Sequence, residues 1–399
     1  MSTAKFNNTC RLDNRQLNIL LFTYPILKCV AFWFNAFTKA SIDPGSYFSA
    51  LSLFYLFYLV KNLHNNYSGI AIACWILASL LCFFFLGTDL KDAFLYLVQL
   101  NVILYSLYIL PRIDFSLIDL KLFKKHLTIF SIIFIIIYEL SIPFAKVRVT
   151  EVAAKYNVTR VYREGFIISH FASYYLGTLG FLLFLLKRKI LAVLLWLYCY
   201  ILGARIGYIY ILVAAITLVL MHYKTIMQVM YKIRYILLAI FILAMAFFTR
   251  RIIASQGLDG LSVYTSGRSV LWINGIEEMK RKGFTALINI FGRGPGSTQI
   301  INYSLTGVKI WMHNDFMEIA YSFGFVGLII YLIAFFNYFR KIRFVYLFLI
   351  FFLSAFFNGF MTYDPLFVII VNTLVYRRFI EKNTINVIFQ QIKTPEVNE

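Results

Sequence analysis

Long apolar runs recur along this chain, separated by short polar and basic segments, and they leave it few ways to fold. Runs near 17–38, 46–61, 68–87, 93–111, 127–145, 165–186, 190–204, 206–222, 234–249, 315–339, 344–361 and 365–377 approach membrane-crossing length. About 20 residues rising 1.5 Å each cover ~30 Å of hydrocarbon. In lipid every backbone N–H and C=O must be bonded within the segment, so such runs form helices. The reading is an all-α polytopic membrane protein of about 12 transmembrane helices, a single integral membrane domain over residues 1–399. Composition agrees, because 61% of the residues are hydrophobic, more than a soluble domain of this length uses.

Lysine and arginine set the orientation. With the N-terminus cytoplasmic, the groups Lys121, Lys124 and Lys125, Lys187 to Lys189, Lys224, Lys232 and Arg234, Arg340, Lys341 and Arg343, and Arg377 and Arg378 all fall inside, as the positive-inside bias requires. Both termini are then cytoplasmic, residues 379–399 form a polar cytoplasmic tail, and residues 250–312 form one large outer loop. Asp43-Pro44 and Asp364-Pro365 offer an N-cap followed by proline where outer-to-inner helices begin. Lys5, Arg11 and Arg15 precede a first run that lacks a small-residue cleavage site, which reads as an uncleaved helix.

The net charge of +20 does not point to nucleic acid, because the basic residues are scattered through short loops. Anionic headgroups and phosphate-bearing substrates suit them better. Cys10, Cys29, Cys74, Cys82 and Cys199 form no CxxC, and His64, His126, His170 and His222 show no ligand spacing. Neither a disulfide framework nor a metal site is expected.

Two outer segments break the charge bias. Residues 146–163 carry Lys146, Arg148, Lys155, Arg160 and Arg163, and the loop 250–312 carries Arg250, Arg251, Arg268, Lys280, Arg281, Lys282, Arg293 and Lys309. Arg205 stands between the seventh and eighth runs. Charge near a bilayer is costly and is retained for a pathway, a partner or a site. Contact with outer-leaflet headgroups accounts for Lys146, Arg148 and Lys155. Arg163, Arg205 and His313 differ, since each stands at the outer end of a run that heads inward. A helix N-terminus there presents unpaired N–H groups and a positive dipole end to an anion, and three such ends could converge on one phosphate.

Asp315 and Glu318 have the D-x-x-E spacing of a capping box, which would start the tenth helix directly after His313-Asn314. Gly292-Arg293-Gly294-Pro295-Gly296-Ser297 lacks the Lys-Ser/Thr ending of a phosphate loop and reads as a tight turn that lets backbone approach a ligand. Gly324 and Gly327 are spaced for close helix packing. Glu139, inside the fifth run, has either a proton or partner role or a plain structural hydrogen bond.

His313-Asn314-Asp315-Phe316 followed by Gly324-Phe325-Val326-Gly327 resembles the HN…GxxG segment after the large periplasmic loop of the O-antigen ligase/polymerase family of bacterial glycosyltransferases. Ser266-Gly267-Arg268 with Trp272 resembles that loop's Arg/Trp segment, and Gly292-Arg293-Gly294-Pro295-Gly296 its glycine turn. Leu202-Gly203-Ala204-Arg205 is similar to the arginine-bearing start of the eighth span, although Ser-Arg is more usual there, and Arg163-Glu164-Gly165-Phe166 resembles the R-x-G-x segment at the sixth. The resemblance runs in motif order from about 160 to 378.

It implies a GT-C-like membrane fold and transfer of a glycan from undecaprenyl pyrophosphate to an acceptor hydroxyl at the periplasmic face of the inner membrane, with no metal or other cofactor. His313, Arg205 and Arg268 are then the catalytic candidates. Arg163, Arg293, Asn314, Trp272 and Glu318 are candidates for binding pyrophosphate or glycan. Guanidinium groups suit a departing pyrophosphate, and an imidazole with an unperturbed pKa of about 6.5 suits the acceptor proton. The HNDF segment favours a Wzy-type polymerase over an O-antigen ligase that transfers to lipid A core. The expected partners are lipid-linked donor and acceptor glycans, membrane lipids and a chain-length regulator protein, with no nucleic acid. A lipid-linked oligosaccharide flippase would rather show paired repeats and charges along a central path.

Overall fold

The computed structural model describes residues 11–38, most of 97–145, 148–153, 158–203, isolated positions from 211 to 229, 233–307 apart from Ser266, 309–342, Phe356 and 365–381. The described chain is predominantly helical. Among the described residues four helical stretches are long and apolar enough, by length and composition, to cross a membrane: Asn14–Thr38, Leu120–Phe144, Tyr235–Leu258 and Asp315–Arg340. The expected spans at 46–61 and 68–87, most of those at 206–222 and 344–361, the Asp43-Pro44 and Asp364 caps, and the tail beyond Glu381 lie outside the described residues.

Helix α1 (Asn14–Thr38) packs on α2 (Leu120–Ser141). Phe22 stacks on Phe130 at 4.0 Å between ring centroids, and Asn18 bonds His126 at 2.7 Å. Helix α2 begins seven residues before the expected span, because Asp119 accepts from the N–H groups of Lys121 and Leu122 and so fixes an N-cap in the basic segment. Between α2 and the next helix the all-α expectation fails locally. Residues Arg148–Ala153 (β1) and Val158–Tyr162 (β2) pair antiparallel, Arg148 opposite Tyr162 and Thr150 opposite Arg160. Their Val and Thr content suits strands.

Helices α3 (Ser169–Leu185) and α4 (Lys189–Ile201) form a hairpin. Apolar on every side and buried from Ala172 to Leu183, α3 is the central helix of the main core. Trp196 of α4 presses against Gly180, where a Cβ would lie 2.5 Å from the indole nitrogen. Its N–H donates to the Gly177 carbonyl at 3.2 Å.

The long segment expected as a loop, residues 250–312, is built from helices. Helix α5 (Arg234–Thr265) is followed by α6 (Arg268–Lys282), α7 (Leu287–Phe291) and α8 (Ser297–Thr306). Helices α9 (Asp315–Ile342) and α10 (Pro365–Val375) follow. Two of these are not continuous. Gly257 (φ +68°, ψ −167°) breaks α5, and Gly324 (φ +67°, ψ −173°) breaks α9, both in a region open essentially to glycine alone. The first part of α5 therefore runs past the expected boundary at 249 and through Arg250 and Arg251.

The break in α9 reverses the chain. Tyr331 donates to Asp315 at 3.3 Å, and Phe316 packs against Phe335 with ring centroids 6.3 Å apart. Sixteen residues of straight helix would separate Asp315 from Tyr331 by about 24 Å. The tenth run is thus a short helix, Asp315 to Phe323, folded back on the longer helix that follows Gly324.

The two ends of the bundle can be told apart by their contacts. At one end Arg11 pairs with Asp114 at 3.5 Å, Arg377 donates to the Pro111 carbonyl and Arg378 to that of Ile118. The beginning of α1, the 110–119 segment and the end of α10 share this end. Tyr338 of α9 bonds Thr373, one turn before Arg377, at 3.0 Å, so α9 also finishes there. Gly324, some 14 residues or about 21 Å earlier along that helix, lies toward the opposite end, as do Arg163 and the far end of α2.

Candidate functional site

The segment around His313 is held from both sides by buried polar contacts. His313 has φ +52°, a left-handed conformation that is uncommon for a residue with a side chain. Before it, Met312 is fully buried. Its carbonyl accepts from the Trp272 indole at 2.6 Å, and its N–H donates to Glu318 Oε2 at 2.9 Å. After it, Asn314 is the N-cap of α9, its Oδ1 accepting from Met317 N at 3.0 Å. The cap therefore sits one residue earlier than the D-x-x-E spacing predicts. Asp315 is in the first turn, its carboxylate serving Tyr331.

Glu318 does not close a capping box. Buried to 2% exposure, it accepts from Met312 N and from the Thr298 hydroxyl, with the Ser322 hydroxyl 3.5 Å from Oε1. One carboxylate thereby joins α8, α9 and the strand of chain leading to His313. Its expected role as a substrate ligand meets a competing use, since both oxygens are engaged inside the protein.

Arg268 opens α6 directly after Gly267, whose φ of +80° turns the chain out of α5. Thr265 Oγ1 receives the Ser269 N–H at 3.0 Å, which satisfies one donor of the new helix. Trp272 follows one turn later on the same face, so its bond to Met312 brings the start of α6 beside the His313 segment. Below this contact Leu271, Met279, Met312 and Tyr321 form a small buried core of their own. The segment from α6 to α8 is thus packed onto the short helix of α9.

The glycine turn docks on the break in α9. Arg293 N donates to the Tyr321 carbonyl at 3.2 Å and Gly294 N to that of Ser322 at 2.8 Å. These carbonyls end the short helix and have no intrahelical donor, so the turn serves as their cap. The approach excludes side chains on both partners. A Cβ on Gly292 would lie 2.3 Å from Ser322 O, and one on Gly324 would lie 2.2 Å from Ile290 O. The close packing expected of Gly324 is therefore realised against loop backbone, and that of Gly327 against Phe323 across the break.

Arg293 itself lies over the Tyr321 ring, its guanidinium carbon 4.4 Å from the centroid. Its two terminal nitrogens are buried and have no hydrogen-bond partner among the described residues. Buried donors of this kind are costly to leave unbonded.

Arg163 is engaged differently. Its guanidinium pairs with Glu139 at 2.5 Å, and Tyr198 of α4 donates to the other Glu139 oxygen. Glu139 thus has partners on two elements. The Arg163 carbonyl accepts from Tyr138 at 2.8 Å, and Gly165 lets this corner close, since a Cβ there would lie 2.8 Å from the Ser141 hydroxyl. Arg163 does not stand at a free helix end. Helix α3 begins six residues later, and Glu164 occupies its first N–H, accepting from Ser169 N at 2.6 Å. With Asn314 capping α9 as well, two of the three helix ends expected to converge on phosphate are filled by the chain's own side chains. Arg205, at the third, lies outside the described residues.

Sequence reading missed Thr298, Ser322 and Tyr321 as partners of Glu318 and Arg293. Ser322 lies one turn after Glu318 on the same helix, whereas Thr298 reaches Glu318, and Arg293 reaches Tyr321, from the glycine turn and the helix after it, contacts that no motif specifies. Among the described residues no cluster of three His, Cys, Asp or Glu side chains is arranged to hold a metal ion.

A helical membrane protein with an arginine- and histidine-bearing loop packed on one helix end is the class that these features define. Residues 190–332 match the family model described as O-antigen ligase. The match bears out the resemblance to the O-antigen ligase/polymerase family over those residues, which include Arg205, Arg268, Trp272, Arg293, His313, Asn314 and Glu318. Arg163 precedes it. No curated protein matches the chain.

Proposed function

We propose that the chain is a membrane glycosyltransferase of the Wzy polymerase type, which joins undecaprenyl-pyrophosphate-linked oligosaccharides into polysaccharide at the periplasmic face. The GT-C-like architecture of about 12 spans, the cytoplasmic termini and the periplasmic loop 250–312 belong to this proposal. The observation that carries it is the assembly of Arg268, Arg293 and His313 on one loop and helix end within the matched residues. Arg293 supplies two buried guanidinium nitrogens that have no acceptor among the described residues, which suits a phosphate-bearing substrate.

In the proposed reaction the acceptor hydroxyl attacks the anomeric carbon of the donor glycan. A new C–O bond forms there as the bond to the pyrophosphate oxygen breaks, and the hydroxyl proton passes to His313. Arg205 and Arg268, with Arg163 if it exchanges Glu139 for phosphate, stabilise the charge that develops on the departing pyrophosphate. Fixed donors aimed at developing charge lower a barrier more than they tighten ground-state binding.

The reading is tested by deleting the gene and resolving surface polysaccharide on a gel. A polymerase deletion leaves core carrying a single repeat unit, whereas loss of a ligase leaves bare core with lipid-linked polymer accumulating. The ligase is the second reading, favoured by the description of the matching family. Complementation with Arg205→Ala, Arg268→Ala or His313→Ala, at normal membrane levels, is expected to lose long chains. Full chain length from all three would refute the site.

A further inference from the structure

Glu318, five residues after His313, is buried, and both of its carboxylate oxygens are bonded within the protein. Met312 is clamped by two bonds, its N–H by Glu318 and its carbonyl by Trp272. Asn314 is fixed as the cap of α9. His313 sits between these two pinned residues with φ +52°. Left-handed backbone is disfavoured for a residue with a Cβ, so the neighbours must impose it. The contacts that impose it are those of Glu318, Trp272 and Asn314.

We propose that Glu318 is a positioning residue rather than a substrate ligand: it sets the direction of the His313 imidazole by holding Met312, and it ties that direction to the glycine-turn helix through Thr298. This rests on the reading of His313 as the residue that takes the acceptor proton, and it reassigns Glu318 from glycan binding to geometry. Trp272 is the second half of the same clamp. Its indole N–H holds Met312 from the side of α6, the helix that opens with Arg268, so one pair of bonds fixes Arg268 and His313 relative to each other. A displacement of about 1 Å at such a site can cost on the order of 100-fold in rate.

Glutamine at 318 keeps the size of the side chain and one acceptor oxygen for Met312 N–H. The Thr298 hydroxyl can rotate to accept from the new amide. Alanine removes both bonds. The test compares Glu318→Gln, Glu318→Ala and Trp272→Phe in the full-length protein, with membrane levels checked, using two readouts. The first is polysaccharide length in the deletion strain. The second is the NMR signal of His313 in histidine-labelled protein in nanodiscs, assigned by its loss in His313→Gln and followed through a pH titration.

The expected result is that Glu318→Ala moves the His313 signal and reduces long-chain product on the order of 100-fold. Trp272→Phe should move the same signal, and Glu318→Gln should keep both the signal and most of the product. A His313 signal unchanged in Glu318→Ala would overturn the proposal, whatever happens to product. So would a Glu318→Gln protein as inactive as Glu318→Ala with the His313 signal in place, which would make the carboxylate charge a substrate contact. If Glu318→Ala fails to insert, Trp272→Phe and Glu318→Gln decide by the same signal. Full product from His313→Ala would instead refute the proton-accepting role of His313 on which this proposal rests, while the NMR comparison still judged the clamp.

Discussion

Gly324 is the residue on which the candidate site depends most directly. Its φ of +67° with ψ −173° is a glycine conformation, and a Cβ would be driven into the Ile290 carbonyl at 2.2 Å. Alanine there pays a backbone penalty of roughly 1–3 kcal/mol and adds a clash with main chain that cannot swing aside. Gly324→Ala is expected to lower the apparent Tm of the detergent-purified protein by several degrees and to shorten the polysaccharide. Gly267→Ala provides the comparison, since its φ of +80° carries the strain but nothing lies within 4 Å of its Cβ. A Gly324→Ala protein no less stable than Gly267→Ala would show that the turn is not packed as described.

At the scale of elements, the fold-back of α9 does what a straight span cannot. It presents the carbonyls of Tyr321 and Ser322 to the glycine turn and sets Asp315 against Tyr331. Contact between these two residues is measurable by a double-mutant cycle of Asp315→Asn and Tyr331→Phe, read as unfolding free energy in mixed micelles. Touching residues give a coupling of about 0.5 kcal/mol or more. In a continuous helix the pair would stand about 24 Å apart and the two effects would add. The same logic explains the displaced cap. The D-x-x-E spacing is a pattern of adjacent turns, but here the glutamate is drawn to Met312 and Thr298, which lie outside its own helix, and Asn314 caps instead.

For the whole molecule, the beginning of α1, the 110–119 segment and the end of α10 share one end, while Gly324 and Arg163 lie toward the other. If that first end is cytoplasmic, cysteines replacing exposed Thr285 or Lys309 in a cysteine-free background will react with an impermeant maleimide in spheroplasts. A cysteine replacing Lys187, between α3 and α4, will react after the membrane is opened. The reverse pattern would invert the topology. Hydropathy determined by sequence alone that the described chain is mainly helical and where its apolar helices lie, because a run of apolar side chains has no other stable state in lipid. The order of motifs also placed Arg268, Arg293 and His313 around one loop. Tertiary structure decided what each does there. Whether glycine bends a helix or merely packs in it, and whether a carboxylate meets a ligand, a cap or a neighbouring main chain, depends on which groups arrive from distant parts of the chain. At Gly324 the backbone of the turn at Gly292 fills the space that a Cβ would need. Glu318, Trp272 and Arg163 find partners within the protein that no local spacing specifies.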